Sequence, residues 1–464
     1  MNVGAIVLAA GHGTRMRSRQ PKVLHRLAGR TMLGWVLRAL ADGGVARVVT
    51  VLGHGADEVR ATLSEDVVVA IQEERLGTGH ATEVGLEGLE ESVGTVIVAC
   101  GDTPLLDAAT ITALVAEHVG SGRAATMVTA VLPDGGAYGR VIRDATGGVA
   151  RVVEASDADE DEAAVTEVNA GLYAFDRAAL AAALRRVGRD NAQSEVYLPD
   201  ALPLLGGPVG ALPASPEVIL GVNNRIDLAA CEDVLQARLR AGLMLDGVTM
   251  ADPAAVYLEA GVVVGADTVL LPGVHLRAGT RIGEGCVIGP DSVLDASEVG
   301  RGSRVVASHL DRAVVGDGCS VGPFAYLRPE ARLEEGAKAG TFVEIKKSVI
   351  GPGAKVPHLS YVGDADVGAG ANIGAGYITA NYDGFRKHRT VIGARVKTGS
   401  DCVFVAPVTV GDDAMTGAGS IITDDVPDGA LGIARARQSV VEDFTRRAAA
   451  RAASAADSTE GGPT

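Results

Sequence analysis

A glycine-rich run near the start of the chain could bind a phosphate group. It reads Leu8-Ala9-Ala10-Gly11-His12-Gly13-Thr14-Arg15-Met16 and closes the first apolar stretch. Glycines let the backbone approach an anion closely, and the N–H groups of a turn that leads into a helix favour negative charge. Arg15 and Lys22 would add two full positive charges. Since the run is neither a Walker A motif nor the GxGxxG fingerprint, it indicates by itself either a phosphate loop or a plain tight turn.

A histidine in the C-terminal half is a second candidate for chemistry. His358 lies in the otherwise apolar run Val356-Pro357-His358-Leu359-Ser360-Tyr361. A histidine can accept a proton near neutral pH and act as a general base, although a lone histidine in such a setting is more often structural. The polar and charged residues 379–389 then interrupt the pattern around them. Because loops on rigid scaffolds often carry function, the interruption marks this region as a candidate site.

The interrupted pattern is an apolar or small residue at every sixth position. One such ladder is Val264, Leu270, Leu276, Ile282, Ile288 and Leu294, and another is Ile392, Thr398, Phe404, Val410, Thr416 and Ile422. Neither the helical period nor the strand period produces this spacing. Hexapeptide repeats are typical of a parallel β-helix, whose coils contain short strands. Glycines behind the rungs, such as Gly393 and Gly411, suit corners where a Cβ would obstruct the backbone.

Residues 1–220 have a different rhythm, in which apolar runs alternate with helix-like segments. Candidate strands are residues 5–10, 48–52, 67–71, 96–100 and 126–132, and candidate helices are residues 31–42, 79–91 and 110–119. This alternation favours an α/β domain with a largely parallel sheet. Residues 228–241 are typical of a connecting helix, with Asp227 as its cap. The Ala-, Arg- and Ser-rich residues 446–464 predict a disordered tail.

Charge and cysteine content narrow the class of protein. The 464 residues carry a formal net charge of −16, which argues against non-specific nucleic-acid binding. The five cysteines are scattered without a metal-ligand spacing, as expected of reduced thiols in a cytosolic protein. No apolar stretch has the length of a membrane span, and the N-terminus has no signal-peptide pattern. We therefore expect a cytoplasmic protein with no membrane or nucleic-acid partner.

The motifs of the first half, taken together, resemble those of the sugar-nucleotide pyrophosphorylases. The family signature is L-x-x-G-x-G-T-x-M followed by P-K, and Pro21-Lys22 completes it here. The run Gln72-Glu73-Glu74-Arg75-Leu76-Gly77-Thr78-Gly79 looks like the base-recognition segment, and Cys100-Gly101-Asp102 closes an apolar run as the family's metal-binding aspartate does. Further matches follow in the expected order: Tyr138-Gly139-Arg140, Glu154, Asn169 and Gly221-Val222-Asn223-Asn224-Arg225.

This resemblance implies a Mg²⁺-dependent uridylyltransferase. Joining a sugar phosphate to UTP brings two polyanions together, so positioning and charge neutralisation must do most of the catalysis. Asp102 and Asn223 would bind one Mg²⁺, and Lys22 and Arg15 would steady the developing pyrophosphate without a covalent nucleophile. The implied residues for UTP and the sugar nucleotide are Leu8, Ala9, Ala10, Gly11, Arg15, Lys22, Gln72, Gly77, Thr78, Cys100, Gly101, Asp102, Gly139, Glu154, Asn169 and Asn223.

Residues 246–440 are similar to the β-helical acyltransferases, in the subset that is joined to a uridylyltransferase. The resemblance implies that His358 is the general base that deprotonates the amine of glucosamine-1-phosphate for attack on acetyl-CoA. It further implies a sugar-phosphate site formed by Arg328, Lys346, Tyr361, Asn372 and Lys387. The residues that it implies for acetyl-CoA are Ala375, Asn381, Tyr382, Ser400, Ala418 and Arg435.

Both halves together resemble the bacterial bifunctional N-acetylglucosamine-1-phosphate uridyltransferases/glucosamine-1-phosphate acetyltransferases. The implied fold is an α/β Rossmann-like nucleotidyltransferase domain followed by a left-handed parallel β-helix of hexapeptide repeats. We expect a uridylyltransferase domain at 1–225, a helical linker at 226–245, an acetyltransferase domain at 246–445 and a disordered tail at 446–464. The resemblance also implies a homotrimer with acetyltransferase sites between subunits. N-Acetylglucosamine-1-phosphate would link the two reactions.

Two departures and two alternatives stay open at this point. Ala155 stands where relatives often carry a polar residue, and Phe444 stands where a tryptophan is common near the acceptor site. In one alternative, the coil is only structural or regulatory, as in ADP-glucose-type pyrophosphorylases; His358 and the interruption at 379–389 argue against it. In the other, the whole chain is a non-catalytic scaffold, which Mg²⁺-dependent release of pyrophosphate would exclude.

Overall fold

The computed structural model describes residues 2–457. They form two compact units that divide after Thr280, here called unit 1 (residues 1–280) and unit 2 (residues 281–464). This division falls within the coil-forming region. The domain limits drawn from the sequence at residues 225 and 246 therefore stay a proposal about where one fold gives way to the next.

Unit 1 is built on a mixed nine-stranded sheet. Its main path runs β11-β7-β10-β6-β1-β4-β5; off this path, β8 pairs with β10, and β9 pairs with β8. The strands that precede the coil-forming region, including β2 and β3 of a separate two-stranded sheet, are β1 (Val3–Ala9), β2 (Arg26–Leu27), β3 (Arg30–Thr31), β4 (Arg47–Leu52), β5 (Val68–Ile71), β6 (Thr95–Cys100), β7 (Ala125–Val131), β8 (Arg140–Arg143), β9 (Val149–Val153), β10 (Glu167–Asp176) and β11 (Val209–Pro213). The five predicted strands are present, and β1, β4, β5 and β6 are parallel as expected. However, β10 runs antiparallel to β6 and β7, its two neighbours on the main path.

Helices cover both faces of this sheet. They are α1 (Met32–Asp42), α2 (Ala56–Arg60), α3 (Thr78–Glu87), α4 (Ala108–Ser121), α5 (Glu160–Ala163), α6 (Arg177–Leu184) and α7 (Arg225–Leu245). Alternate residues of β1 point to opposite faces. Ala5 and Val7 therefore belong to an apolar cluster with α1 and α4, while Ile6 belongs to one with α3 and α6. The two clusters hold the strand ends rigid where the candidate loop begins.

The connecting helix α7 begins earlier than predicted, and its cap is a different residue. Asn224 is the N-cap, and its side chain accepts hydrogen bonds from the backbone N–H groups of Ile226 and Asp227. Asp227 lies three residues further on and completes a capping box. The predicted cap was therefore one element of the motif and not its first residue. Near the middle of α7, buried Gln236 exchanges two hydrogen bonds with the backbone of Leu258.

The coil-forming region contains short parallel strands throughout. In unit 1 they are β12 (Thr249–Met250), β13 (Val256–Leu258), β14 (Val263–Val264), β15 (Val269–Leu270) and β16 (Val274–Leu276). In unit 2 they are β17 (Arg281–Ile282), β18 (Val287–Ile288), β19 (Val293–Asp295), β20 (Glu298–Val299), β21 (Arg304–Val305), β22 (His309–Asp311), β23 (Val314–Val315), β24 (Ser320–Val321), β25 (Tyr326–Leu327), β26 (Arg332–Leu333), β27 (Lys338–Thr341), β28 (Glu344–Lys346), β29 (Val349–Ile350), β30 (Lys355–His358), β31 (Tyr361–Gly363), β32 (Ala365–Val367), β33 (Ile378–Ala380), β34 (Thr390–Ile392), β35 (Val403–Val405), β36 (Val408–Val410), β37 (Met415–Thr416), β38 (Ile421–Ile422) and β39 (Leu431–Gly432).

Within unit 2 these strands stack as three parallel sheets, one for each side of the coil. The orders are β18-β21-β24-β27-β30, β19-β22-β25-β28-β31-β33-β35-β38 and β17-β20-β23-β26-β29-β32-β34-β36. Every rung of the two predicted ladders is buried, which confirms that the six-residue period marks the inward positions. The arrangement is consistent with the left-handed β-helix of hexapeptide repeats.

Close contact between successive coils explains the glycines behind the rungs. A Cβ on Gly393 would lie 2.6 Å from the backbone nitrogen of Asp412 on the next coil. Polar side chains fill comparable inward places at the corners. Ser303 donates a hydrogen bond of 2.8 Å to the carbonyl of Gly316, and the thiol of Cys319 donates one of 3.0 Å to the carbonyl of Glu334. All five cysteines are free thiols, as the scattered spacing predicts.

The C-terminal segment differs from the prediction. Instead of a disordered tail from residue 446, the structure has a helix, α8 (Phe444–Asp457), with residues 458–464 outside the described part of the chain. Alanine and arginine are strong helix formers, so the composition that lacks an apolar pattern still favours a helix. Among the helices within residues 2–457, none combines the length and the apolar character that crossing a bilayer requires.

Candidate active sites

The phosphate-loop candidate connects β1 to a single 3₁₀ turn, Thr14–Met16, and not to a longer helix as predicted. Gly13 precedes this turn with a φ of 59°. A Cβ there would lie 2.5 Å from the Cβ of Lys22. Glycine at this position therefore lets the loop close against Lys22, which places the cation beside the end of the first strand.

Lys22 lies at the centre of a cluster of charged and amide groups. Its Nζ is 2.5 Å from Asp102 Oδ2 and 3.4 Å from Asn223 Oδ1. Arg15 donates a second hydrogen bond, of 2.8 Å, to Asn223 Oδ1. Two oxygen atoms from distant parts of the chain thus converge on one cation. Carboxylate and amide oxygens are also ligands that a hard divalent cation accepts, so the donor set fits the predicted Mg²⁺ site.

Backbone hydrogen bonds hold the two candidate metal ligands in place. Asp102 follows β6, and its carbonyl accepts a hydrogen bond of 3.0 Å from the N–H of Val222. Asn223 comes next along the chain, and its N–H donates to Asp227 Oδ2 at 2.8 Å. The capping box of α7 therefore fixes the backbone that carries Asn223. Asp227 was predicted only as a cap, and nothing in its local sequence indicates this second role.

A cavity of about 240 Å³ lies beside this cluster. Eight of the predicted substrate-binding residues line it, namely Leu8, Thr78, Cys100, Asp102, Gly139, Glu154, Asn169 and Asn223. It is also lined by residues that the sequence did not indicate as ligands, among them Tyr138 and Tyr173. The hydroxyl of Tyr138 donates to the carbonyl of Ile219 at 3.2 Å and accepts from the N–H of Gly221 at 3.3 Å. Tyr138 thereby supports the segment that leads to Asn223.

The other predicted residues surround the cavity without lining it. Ala9 and Ala10 are buried at the end of β1, and Gly11 is exposed. The N–H of Gly101 donates to the carbonyl of Leu8 at 2.9 Å. Buried Gln72 donates to the carbonyl of Gly77 at 3.2 Å. These contacts shape the loops around the cavity.

Burial changes the ionisation of two groups in the cavity. It raises the pKa of the Cys100 thiol to about 12, and the carboxylate of Asp102 adds to that rise. Cys100 is thus a neutral thiol and a poor nucleophile at neutral pH. Burial also raises the pKa of Glu154, with further contributions from Asp200 and Asp157. The thiol of Cys100 is therefore not an activated nucleophile.

In unit 2, one corner of the coil carries His358 and three small residues in a column. The N–H of Gly376 donates to the carbonyl of His358 at 3.4 Å, that of Asp401 to Ala375 at 2.7 Å, and that of Gly419 to Ser400 at 2.8 Å. Each donor follows the next member of the column, so His358, Ala375, Ser400 and Ala418 occupy equivalent positions on successive coils. The side chains of His358, Ser400 and Ala418 are exposed. We call this set the corner column.

A second group of predicted residues forms a cationic cluster on an adjacent face. Lys346 Nζ lies 4.0 Å from Asp364 Oδ2, and Arg328 Nη1 donates to Glu344 Oε1 at 2.8 Å. A hydrogen bond with the Lys387 amine, followed by burial, lowers the pKa of Lys346. Two amines and a guanidinium therefore lie near one another, with the carboxylates of Asp364 and Glu344 beside them. We call Arg328, Lys346 and Lys387 the cationic cluster.

Asn381 contacts Asp364, the carboxylate beside Lys346, and the predicted sugar-site residue Tyr361. Its Nδ2 donates to Asp364 Oδ2 at 2.6 Å and to the hydroxyl of Tyr361 at 3.4 Å. Asp364 was not predicted, because an aspartate at a coil corner resembles the many other corner aspartates of the repeat. The side chains of Asn372, Tyr382 and Arg435 are exposed, and their predicted contacts with substrates stay predictions.

Known proteins are similar to this chain in both of its parts. The MobA-like NTP transferase domain model matches residues 5–198, and the bacterial transferase hexapeptide model (six repeats) matches residues 261–296. A bifunctional protein GlmU of Heliobacterium modesticaldum is 52% identical over 96% of this chain and 98% of its own length. One from Streptomyces avermitilis is 49% identical over 97% and 96%, and one from Mycobacterium bovis is 47% identical over 96% and 92%.

Proposed function

Given that the chain belongs to the family of bifunctional GlmU proteins, we propose which residues perform each of its two transfers. It is a transferase with nucleotidyltransferase and acetyltransferase activities. Acetyl transfer from acetyl-CoA to glucosamine-1-phosphate forms N-acetylglucosamine-1-phosphate. Uridylyl transfer from UTP to that product then gives UDP-N-acetylglucosamine and pyrophosphate. We assign the second transfer to the cavity of unit 1 and the first to the corner column of unit 2.

For uridylyl transfer, the sugar phosphate oxygen attacks the α-phosphorus of UTP, and the bond to the β-phosphate breaks. Asp102 and Asn223 would hold a Mg²⁺ ion, which supplies neutralisation of phosphate charge when bound. Lys22 and Arg15, which both contact Asn223, would turn to the leaving pyrophosphate. The buried, neutral Cys100 and the raised pKa of Glu154 suit binding of a sugar and not covalent catalysis.

For acetyl transfer, His358 accepts a proton from the amine of glucosamine-1-phosphate as its nitrogen attacks the thioester carbonyl. The carbon–sulfur bond then breaks, and CoA leaves as a thiolate that takes up a proton. The cationic cluster would bind the sugar phosphate, because a dianion relieves the repulsion between Lys346 and Lys387. Ala375, Ser400 and Ala418 leave room along the corner column for the extended arm of acetyl-CoA.

We further propose that the chain acts as a cytoplasmic homotrimer, with acetyltransferase sites shared between subunits. Phe324, Phe342 and Leu359 are exposed on successive coils, and Phe342 and Leu359 directly follow the paired residues Thr341 and His358. The rings of Phe324 and Phe342 stack at 5.3 Å. Such an apolar stripe is typical of a contact surface, and it lies directly beside His358 in the chain.

The position of His358 at the head of the corner column carries this proposal. Replacing His358 by Ala should abolish CoA release from acetyl-CoA and glucosamine-1-phosphate, while pyrophosphate release from UTP and N-acetylglucosamine-1-phosphate continues. His309, another exposed histidine of unit 2, gives the matched control His309→Ala, which should retain both reactions. Acetyl transfer at a near wild-type rate in the His358→Ala variant would contradict the assignment of the base.

A further inference from the structure

The interruption of the repeat at residues 381–389 folds as a hairpin with its own internal hydrogen bonds. Tyr382 pairs with Lys387 in antiparallel fashion, and the N–H of His388 donates to the carbonyl of Asn381 at 2.8 Å. Asp383 Oδ1 accepts the N–H groups of Phe385 and Arg386 at 2.8 and 2.7 Å. Asp383 Oδ2 lies 2.6 Å from His388 Nε2. The carboxylate of Asp383 thus ties the tip of the hairpin to its returning strand.

The charge state of Asp383 fixes the direction of its bond with His388. The N–H of Arg386, the side chain of His388 and the N–H of Phe385 lower the pKa of Asp383 to about 2. The carboxylate is therefore ionised near neutral pH and can only accept hydrogen bonds. Nε2 of His388 must carry the donated proton. The bond is charge-assisted, with 19% of the His388 side chain and 38% of the Asp383 side chain exposed.

Lys387 lies directly before His388 and belongs to the cationic cluster. The Lys387 amine lowers the pKa of Lys346, because two like charges close together disfavour the charged form. The base of the hairpin is fixed separately through Asn381 and Asp364. The returning strand is also held by the backbone bond of His388 to Asn381 and by the ion pair of Arg389 with Asp366. Beside Lys387 itself, the bond between His388 and Asp383 is the side-chain contact that joins the returning strand to the tip of the hairpin.

We propose that His388 and Asp383 form a latch that positions Lys387 for the phosphate of the acetyl acceptor. Both are positioning residues, since the bond acts through Lys387 and not on the reacting atoms. The inference rests on the acetyltransferase site assigned above and adds a determinant of affinity for the sugar phosphate. Asn381 and Tyr382, which the resemblance implies for acetyl-CoA, lie on the outgoing strand of the hairpin, whereas Lys387 and His388 lie on its returning strand. The latch should therefore affect the KM for the sugar phosphate more than the KM for acetyl-CoA.

Steady-state kinetics of acetyl transfer can test the latch. His388→Ala should raise the KM for glucosamine-1-phosphate about fivefold to tenfold, as expected for a lost hydrogen bond to a charged group, with the KM for acetyl-CoA and the kcat nearly unchanged. His388→Gln should restore most of the affinity, because its amide N–H can still donate to Asp383. The exposed neighbour Arg386, whose Nε is 3.9 Å from Asp383, supplies the control Arg386→Ala, which should behave as wild type. Uridylyl transfer by the same chain reports on folding.

A double-mutant cycle separates the latch from the site assignment. If His388 acts through Lys387, adding His388→Ala to Lys387→Ala should change the KM for the sugar phosphate less than about twofold. A full additional effect in that background, or an equal rise in the KM for acetyl-CoA, would overturn the latch alone. So would a wild-type KM in His388→Ala. A wild-type KM in Lys387→Ala would overturn both the latch and the assigned phosphate site.

Discussion

In unit 1 the candidate site brings together residues 22, 102 and 223 from distant parts of the chain, whereas in unit 2 the corner column repeats one position on successive coils. Lys22, Asp102 and Asn223 meet because β1 and β6 are parallel neighbours that end at the same edge, and because the capping box of α7 fixes Asn223. The corner column does not depend on contacts between distant segments, since the repeat places the corner of each coil directly over the corner of the coil before it. A sheet gathers different groups at one point, and a coil multiplies one position into a line.

The largest expected effect separates the two centres. Lys22→Met should lower kcat/KM for uridylyl transfer about 10²- to 10³-fold, because a preorganised positive charge is lost at the phosphates. Acetyl transfer should be unchanged. Coupled assays of pyrophosphate and CoA release from the same preparation measure both, and Arg38→Ala, which breaks an exposed ion pair, is the control. A parallel loss of both activities would mean that the variant is misfolded.

A smaller effect is expected from obstructing the line of corners in unit 2. Ser400→Trp should raise the KM for acetyl-CoA about tenfold or more, since a bulky side chain would fill the corner column and remove the contacts there. Thr409 is exposed on β36, on a different sheet of the coil, so Thr409→Trp should have little effect. Initial rates at varied acetyl-CoA provide the measurement. Equal effects of the two substitutions would show that the column does not bind the co-substrate.

A stability prediction tests how tightly the coils stack. Gly393→Ala should destabilise the protein by about 1–3 kcal/mol, the usual cost of overpacking, because its Cβ would meet the backbone of Asp412 at 2.6 Å. Gly417 occupies the same place behind a rung, but there the nearest atom is a side-chain carbon of Ile433 at 3.2 Å. Gly417→Ala should therefore cost less. Thermal unfolding of the two variants compares them directly, and equal melting temperatures would contradict the packing argument.

The smallest expected effect concerns the carboxylate in the unit 1 cavity. The pKa of Glu154 is raised in the folded state, chiefly by burial, so its ionised form costs stability. The contribution of Glu154 to the free energy of unfolding is fully present at a pH below the pKa of the unfolded state. It is lost as the pH rises through the pKa of the folded state. Glu154→Gln should thus have a higher melting temperature than wild type at pH 7, and the difference should disappear near pH 4. A difference that is independent of pH would contradict this ionisation.

The sequence predicts the coil better than the sheet because the information in a repeat is local. Twelve inward positions follow from counting sixes, and all of them are buried. The antiparallel strand β10, the strand β8 that pairs with it and the strand β9 that pairs with β8 were not predicted, since their place depends on pairing between distant segments. The unpredicted helix α8 has the opposite cause: its alanines favour a helix without any tertiary contact, so the lack of an apolar pattern does not by itself indicate disorder.

The same distinction holds for the sites. Motif order was enough to predict Lys22, Asp102 and Asn223, which the structure brings together. It could not indicate Tyr138 as a support or Asp364 as the partner of Asn381, because each acts on a residue that is distant in the chain. Roles in binding that depend on substrates stay predictions for all of these residues.

The corner column also has a fixed spacing along the coil. Neighbouring strands lie about 4.8 Å apart. The three steps from His358 through Ala375 and Ser400 to Ala418 therefore span a distance of about 14 Å along the coil. The length of an acyl carrier that can lie along this edge is then fixed by the number of coils beyond His358. Removing or adding one whole coil would change the length of this edge by one strand spacing, without changing the residue types at the remaining corners.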